Sequence, residues 1–414
     1  MPALRVLHFT DLGEEYDRLA VVRQFVQEHQ QDLDAVFFTG DFLEGDPLHE
    51  TATGTAIAKK YSQFVDTDEF KAVYQEFKSF ITRHTHTGTF DPAALTPEDK
   101  KELEQLQVKQ NTIIKSIIDD RKTEVTREFT TIVRESYRQL ANEFKPLADT
   151  VPVYAVSGNH DLTIAYEDLG KVVTFIETVP KATIKGKSGL EFLVKGDINV
   201  IEIPPFFADY GVQTALGEYF VNYYSGYSAE EINAEIDQLG DLEGRILPPN
   251  GKPTPEQEAE QQRVSTAKQH LRELGGEIRA YQREQETRLG DPQEVDIYLT
   301  HRLPHFNEAH AYSHPQGTCG DITARYSQHA KAVHGGHFHE GQIGKQDLTK
   351  LLHQEKSLEV LQKTEVVDSV RVPVYLLNAD EPWEINPGTG YFTVTEYDDH
   401  KEVERVIMYE FVYQ

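Results

Sequence analysis

The run Ala35-Val36-Phe37-Phe38-Thr39 carries no charge and halts at Gly40-Asp41. A strand that does not alternate must be covered on both faces, and in a buried sheet such strands deliver their polar residues at their carboxyl ends. The residues before it fit the same scheme. Leu4 to Thr10 is short, β-favouring and ends in Asp11-Leu12-Gly13. Tyr16 to Gln30 follows, with Leu19, Val22, Phe25 and Val26 at the spacing of an amphipathic helix. Strand, loop, helix and strand within the first 45 residues predict an α/β fold.

Further along, Val151 to Ser157, Asn199 to Ile203, Val295 to Thr300, Ala332 to Gly335, Val372 to Leu377 and Gly390 to Glu396 read as strands. Two blocks interrupt them. From Gly45 to Asp149 the chain is charged and Gln-rich with a helical period, clearest from Pro97 to Phe144, where Ile113, Ile117, Val125, Phe129, Val133, Tyr137, Leu140 and Phe144 recur at helical steps. Such a stripe packs against another helix. A narrower stripe, Val264, Leu271, Leu274, Ile278 and Tyr281 within Pro255 to Leu289, is a candidate partner, as a helical cap or an oligomer contact, although a solvated face fits it equally. The expected organisation is a core of 1–44, 150–205 and 291–414, a helical insertion at 45–149, and a second, mainly helical insertion at 206–290.

The 414 residues hold 41 Lys and Arg against 69 Asp and Glu, a net charge of −28. That excess argues against extended nucleic acid and anionic membranes as partners, but it leaves room for a small phosphorylated substrate neutralised by cations. Cys319 is the single cysteine, which excludes an intrachain disulfide and a Cys-rich zinc site. No run approaches the roughly 20 apolar residues of a membrane span. Met1 leads almost directly into Leu4 to Phe9, so the expected location is cytoplasmic.

Five polar clusters end predicted strands: Asp11-Leu12-Gly13, Gly40-Asp41-Phe42-Leu43-Glu44, Gly158-Asn159-His160-Asp161, His301, and Gly336-His337-Phe338-His339. Taken singly, a Gly-Asp pair is a turn and His301 fits a satisfied buried histidine. Two imidazoles as close as His337 and His339 favour a metal. Taken together, Asp, Asn and His at the carboxyl ends of strands in one sheet converge on one crevice, with oxygen and nitrogen donors that suit divalent Mn, Fe or Zn. One Asp bridging two ions about 3.5–4 Å apart would build a hydrolytic site.

In these motifs the sequence resembles the calcineurin-like metallophosphoesterases, whose pattern runs D-x-H, G-D-x-x-[DE], G-N-H-[DE], a lone His and G-H-x-H; four of the five elements stand here in order. Asn386-Pro387-Gly388 looks like the turn that the family places after its last motif. The resemblance covers Leu4 to Glu44, Val151 to Asp161 and Asp296 to about Tyr397, and leaves both helical blocks uncovered. It implies two packed mixed β-sheets flanked by helices, with the helical blocks as long insertions.

It also implies two divalent metal ions, Mn first, with Fe, Zn, Ni or Co as alternatives. Asp41 would bridge them, with Asn159, His301 and His337 completing one site and Asp11 and His339 serving the other. The family's histidine two residues after the first Asp is Gly13 here, so that site lacks a ligand. Purple acid phosphatases, a branch of the same superfamily, share D-x-G and fill the gap with a tyrosine at the position of Glu44. Glu44 could supply a carboxylate there or only orient a loop, and His8 is a further candidate.

The implied reaction is hydrolysis of a phosphomonoester or phosphodiester by a bridging hydroxide. His160 would act as general acid, Asp161 would steady it, and Arg302 would contact a phosphate oxygen. His305, His310, His314 and His334 lie near the motifs and read as supporting or surface residues rather than ligands. Two other readings compete: a nuclease, against which the net charge weighs, and a non-catalytic binding scaffold with a degenerate metal site, in whose favour Gly13 stands.

Overall fold

The computed structural model describes residues 2–43, 51–86, 89–90, 95–158, 161, 164–179, 182–196, isolated positions between 236 and 283, 286–302, 325–337, 342–343, 346–347, 366–367, 370–371, 374–375 and 383–411. Two mixed seven-stranded sheets organise it. In chain order their strands are β1 (Leu4–Phe9), β2 (Ala35–Thr39), β3 (Val153–Val156), β4 (Thr174–Phe175), β5 (Ala182–Lys185), β6 (Glu191–Gly196) and β7 (Ile297–Arg302). There follow β8 (Ala332–Gly336), β9 (Gln342–Ile343), β10 (Gln346–Asp347), β11 (Val374–Tyr375), β12 (Trp383–Asn386), β13 (Tyr391–Tyr397) and β14 (Val403–Glu410). The first sheet runs β11-β14-β13-β1-β2-β3-β4 and the second β10-β9-β12-β8-β7-β6-β5.

Strands β1, β2 and β3 are mutually parallel, as are β6, β7, β8 and β12, so within each set the carboxyl ends point one way. One core lies between the sheets: Val6, Phe37 and Val156 of the first meet Phe192, Leu299 and Ile385 of the second. All five residues of β2 are buried, as its unbroken apolar run requires. Helices cover the outer face of the first sheet: Phe38 of β2 meets Phe144 at 5.7 Å between ring centres. On α1 (Tyr16–His29), Phe25 packs edge-on against Phe392 and Tyr409 at 5.0 and 4.7 Å between ring centres.

The chain divides into two compact units, one of 1–44, 137–201 and 222–414 and one of 45–136 and 202–221. The second unit contains α2 (Ala52–Val65), α3 (Asp68–His84), α4 (Pro97–Asp120) and the start of α5 (Lys122–Ala148). Thr51 and Thr67 cap α2 and α3 by accepting the N–H groups of Gly54 and Phe70. The expected single stripe is broken by a turn at Arg121, and partners of its first part lie in the same block. Glu76 and Lys109 join α3 to α4, and Phe64 meets Phe129 across α2 and α5.

The expected insertion ran to residue 149, whereas the units divide within α5, before Tyr137. Phe144 accounts for this, because it packs on Phe9, Phe38 and Phe42 of the first unit. Asn199 to Ile203 lies outside the described residues, as does most of the stripe within Pro255 to Leu289. Among the described residues no helix is long and apolar enough to cross a membrane.

Candidate metal centre

Both sheets contribute to one site. Strands β1 and β2 of the first lead to Asp11 and Asp41, while β7 carries His301 and β8 leads to His337 in the second. At Asp11, Asp41 and His337 the backbone is left-handed, with φ of 50°, 57° and 71°. Side chains beyond glycine pay on the order of 1–3 kcal/mol for this, so the surroundings must hold them there.

The loops brace one another. Asp11 N–H donates to the Gly40 carbonyl at 3.0 Å, and Gly13 N–H to that of Asp41 at 3.1 Å. His337 N–H faces both carboxylate oxygens of Asp11, at 3.2 and 3.1 Å. There is no room to spare: a Cβ on Gly158 would stand 2.0 Å from Asp41 Oδ1, and one on Gly336 would stand 1.9 Å from Thr10 Oγ1. Both motif glycines are present for space.

One ligand atom from each of Asp41, His301 and His337 falls within 4.8 Å of the others. His301 is fully buried. Its Nδ1 donates to the Thr39 carbonyl at 2.6 Å, which leaves Nε2 to face Asp41 Oδ2 at 3.1 Å. Burial is the largest single influence and would lower the pKa of this imidazole, but the Asp41 carboxylate, Asp11 and the Thr39 carbonyl together outweigh it and the net shift is upward. A cation at this point would take the place of that proton. Two imidazoles and a carboxylate are a donor set that suits a borderline divalent ion. The residues therefore fit such an ion.

Asp161 is buried and its pKa is pushed up to about 7, first by burial and then by the charge of Asp41. Its Oδ1 accepts from Phe42 N–H at 3.0 Å and from the Tyr137 hydroxyl at 3.2 Å, and its Oδ2 from Gly158 N–H at 2.8 Å. These bonds tie the Asp41 loop to the Gly158 turn. The expected role of Asp161 toward His160 lies outside the described residues, as do Glu44, Asn159, His160 and His339 themselves. Arg302 closes β7, and its side chain is likewise outside them. Gly13 adopts φ 52°, so the position where the family carries histidine is a left-handed turn residue here.

Sequence reasoning missed Arg18. It is buried on α1 and donates to the carbonyls of Asp11, Leu12 and Thr389, which clamps the Asp11 loop to the turn after β12. A signal was present, because Arg18 lies four and seven residues before Val22 and Phe25 on the buried face. Asn386 supports the same turn, with Oδ1 accepting from Gly388 N–H at 2.9 Å and Nδ2 directed at the Gly336 carbonyl at 3.4 Å.

No family model matches the chain, and no curated protein matches it. Two solved structures align over nearly its whole length. One crystal structure is 12% identical, covers 99% of this chain and 100% of its own, and has a TM-score of 0.36. The other, TT1561 of Thermus thermophilus, is 10% identical, covers 97% of each chain and has a TM-score of 0.32.

Proposed function

We propose that this protein is a metal-dependent phosphoester hydrolase of the calcineurin-like metallophosphoesterase type, acting on a small phosphomonoester or phosphodiester. The observation that carries the reading is the convergence of Asp41, His301 and His337, delivered by strands of two different sheets, within 4.8 Å. Divalent ions bound there would supply Lewis acidity toward a phosphoryl oxygen and a water acidic enough to attack phosphorus near neutral pH.

The chain's own residues do the rest. Asp41 provides the negative charge at the centre of the donor set. His301 has its proton-bearing Nδ1 engaged by Thr39, so its other nitrogen is committed to the site. Asp11, held by Arg18 from behind, fixes the His337 backbone. In this reading His160 gives a proton to the departing oxygen and Arg302 pairs with a nonbridging one. With a net charge of −28 the protein repels phosphate esters in general, so productive approach requires local cations.

The test is metal analysis of purified protein together with colorimetric monoester and diester assays on wild type and Asp41→Asn. The expectation is bound divalent metal, hydrolysis of at least one ester, and a loss of both in the variant, by about 100-fold or more in turnover. Metal-free wild type that hydrolyses neither ester in added Mn²⁺, Zn²⁺ or Fe²⁺ would overturn the reading.

A further inference from the structure

Two histidines outside the donor set lie fully buried between the sheets, each three residues before a candidate ligand: His8 on β1 before Asp11, and His334 on β8 before His337. They touch. His334 Nδ1 lies 3.2 Å from His8 Nδ1, and the rings meet edge to face at 4.8 Å and 85°. On one side His334 Nε2 meets the Tyr397 hydroxyl at 2.8 Å, and on the other His8 Nε2 meets the Thr39 hydroxyl at 2.9 Å. Thr39 is also the residue whose carbonyl orients His301. The polar chain therefore runs from Tyr397 through both imidazoles to Thr39, and from Thr39 to the candidate centre.

Hydrogen counting shows how tightly this arrangement is specified. Desolvation keeps both rings neutral, so each carries one N–H and one bare nitrogen. The direct Nδ1 to Nδ1 contact then forces one ring to donate and the other to accept there, which fixes each ring's role at its far nitrogen. All three bonds form only when both hydroxyls and both rings agree on one direction. His334 belongs to the second sheet and the other three groups to the first, so the bonds are made only at one offset between the sheets. An apolar pair of the same size would pack at several offsets, because the hydrophobic effect is non-directional.

We propose that His8 and His334 are positioning residues of the metal centre: a hydrogen-bonded imidazole pair that locks the offset between the two sheets and thereby sets the distance from Asp11 and Asp41 to His301 and His337. This rests on the metal reading above. The ring nitrogens of the pair are engaged by one another, by Tyr397 and by Thr39, so it acts through Thr39 and through the strand ends.

The experiment measures Mn²⁺ affinity and the electron paramagnetic resonance spectrum of bound Mn²⁺ in wild type, His8→Leu, His334→Leu, His334→Asn and Tyr397→Phe, with circular dichroism to establish that each is folded. The Leu variants should bind Mn²⁺ about tenfold or more weakly, with a broadened spectrum from the folded protein. His334→Asn, which keeps a polar atom toward His8, should recover much of the loss, and Tyr397→Phe should lose about threefold. Loss of stability with unchanged affinity and spectrum would mean a purely structural pair and would overturn the proposal. If the Leu variants fail to fold, Tyr397→Phe decides, since it removes one oxygen, and wild-type affinity in it counts against the proposal. Wild type that binds no divalent cation would instead bring down the metal reading, which separates the two failures.

Discussion

Gly158→Ala measures how closely the Asp41 loop is fitted. The added methyl would stand 2.0 Å from Asp41 Oδ1 and 2.3 Å from its backbone nitrogen, where real Cβ contacts stay above 3.0 Å. The carboxylate oxygen must retreat by about 1 Å and the nitrogen by about 0.7 Å. A carboxylate can swing aside, but the nitrogen cannot move without the chain. That chain continues into Phe42, wedged against Phe38, Phe144 and Phe175 with ring centres at 4.2, 5.5 and 5.5 Å. Overpacking at such a place costs about 1–3 kcal/mol, and a displacement near 1 Å at a reacting centre costs on the order of 100-fold in rate. Calorimetric unfolding, Mn²⁺ titration and the ester assay read the three consequences. Gly390→Ala is the control, because a Cβ there meets nothing within 4 Å. If Gly158→Ala matches Gly390→Ala in stability and metal affinity, the close approach that we infer does not exist.

Burial holds the His334 pKa at about 3 and that of His8 well below the ordinary 6.5, so the stability that they lend is whole above pH 6.5 and drains as pH falls toward 3. For His334 the full loss is about 5 kcal/mol as an upper bound, and urea titrations from pH 7.5 to 5 should show a shallower slope in His8→Leu/His334→Leu than in wild type; equal slopes would refute this. Glu177 runs the other way. Buried with its pKa raised to about 7, it favours the protonated form, so its contribution falls as pH climbs from 4.5 to 7. Glu177→Gln, which keeps an acceptor for Ser157 N–H, should gain up to about 3 kcal/mol at pH 8 and nothing at pH 4.5, by the same denaturation assay. Because the His301 pKa is raised beside Asp41, metal binding should expel a proton and tighten with rising pH, seen as buffer-dependent heats in titration calorimetry. Gly13→His should cost about 1 kcal/mol without tightening the ion, since φ is 52° there; tighter binding would show that the loop accepts a donor.

The parallel half of the first sheet was legible because β1, β2 and β3 are short, apolar and end in polar turns, and the α/β class followed from them, whereas the two mixed sheets with flanking helices were what the resemblance implied. Strands β5, β6 and β14 were not. Their alternating or charged residues, such as Lys185, Glu191 and Glu404, look like solvated chain until a partner strand is known. The site's donors were legible as residue types at strand ends, but their bracing was not. Arg18 and Tyr137 hide in helical stripes that read as packing, and Asp161 was assigned to a neighbour in sequence while its described bonds go to Phe42, Gly158 and Tyr137. His8 and His334 are 326 residues apart, and nothing local marks them as a pair.

The left-handed backbone at Asp11, Asp41 and His337 sets the protein's stability against the side chains of its candidate centre. Each of these positions would be more comfortable as glycine, by roughly 1 kcal/mol. A library screened for heat resistance alone should therefore accumulate glycine at the three positions that the centre can least spare, whereas at Lys401, whose left-handed turn joins β13 to β14, the same exchange should cost no activity. Heat resistance and metal binding would thus pull the codons of Asp11, Asp41 and His337 in opposite directions.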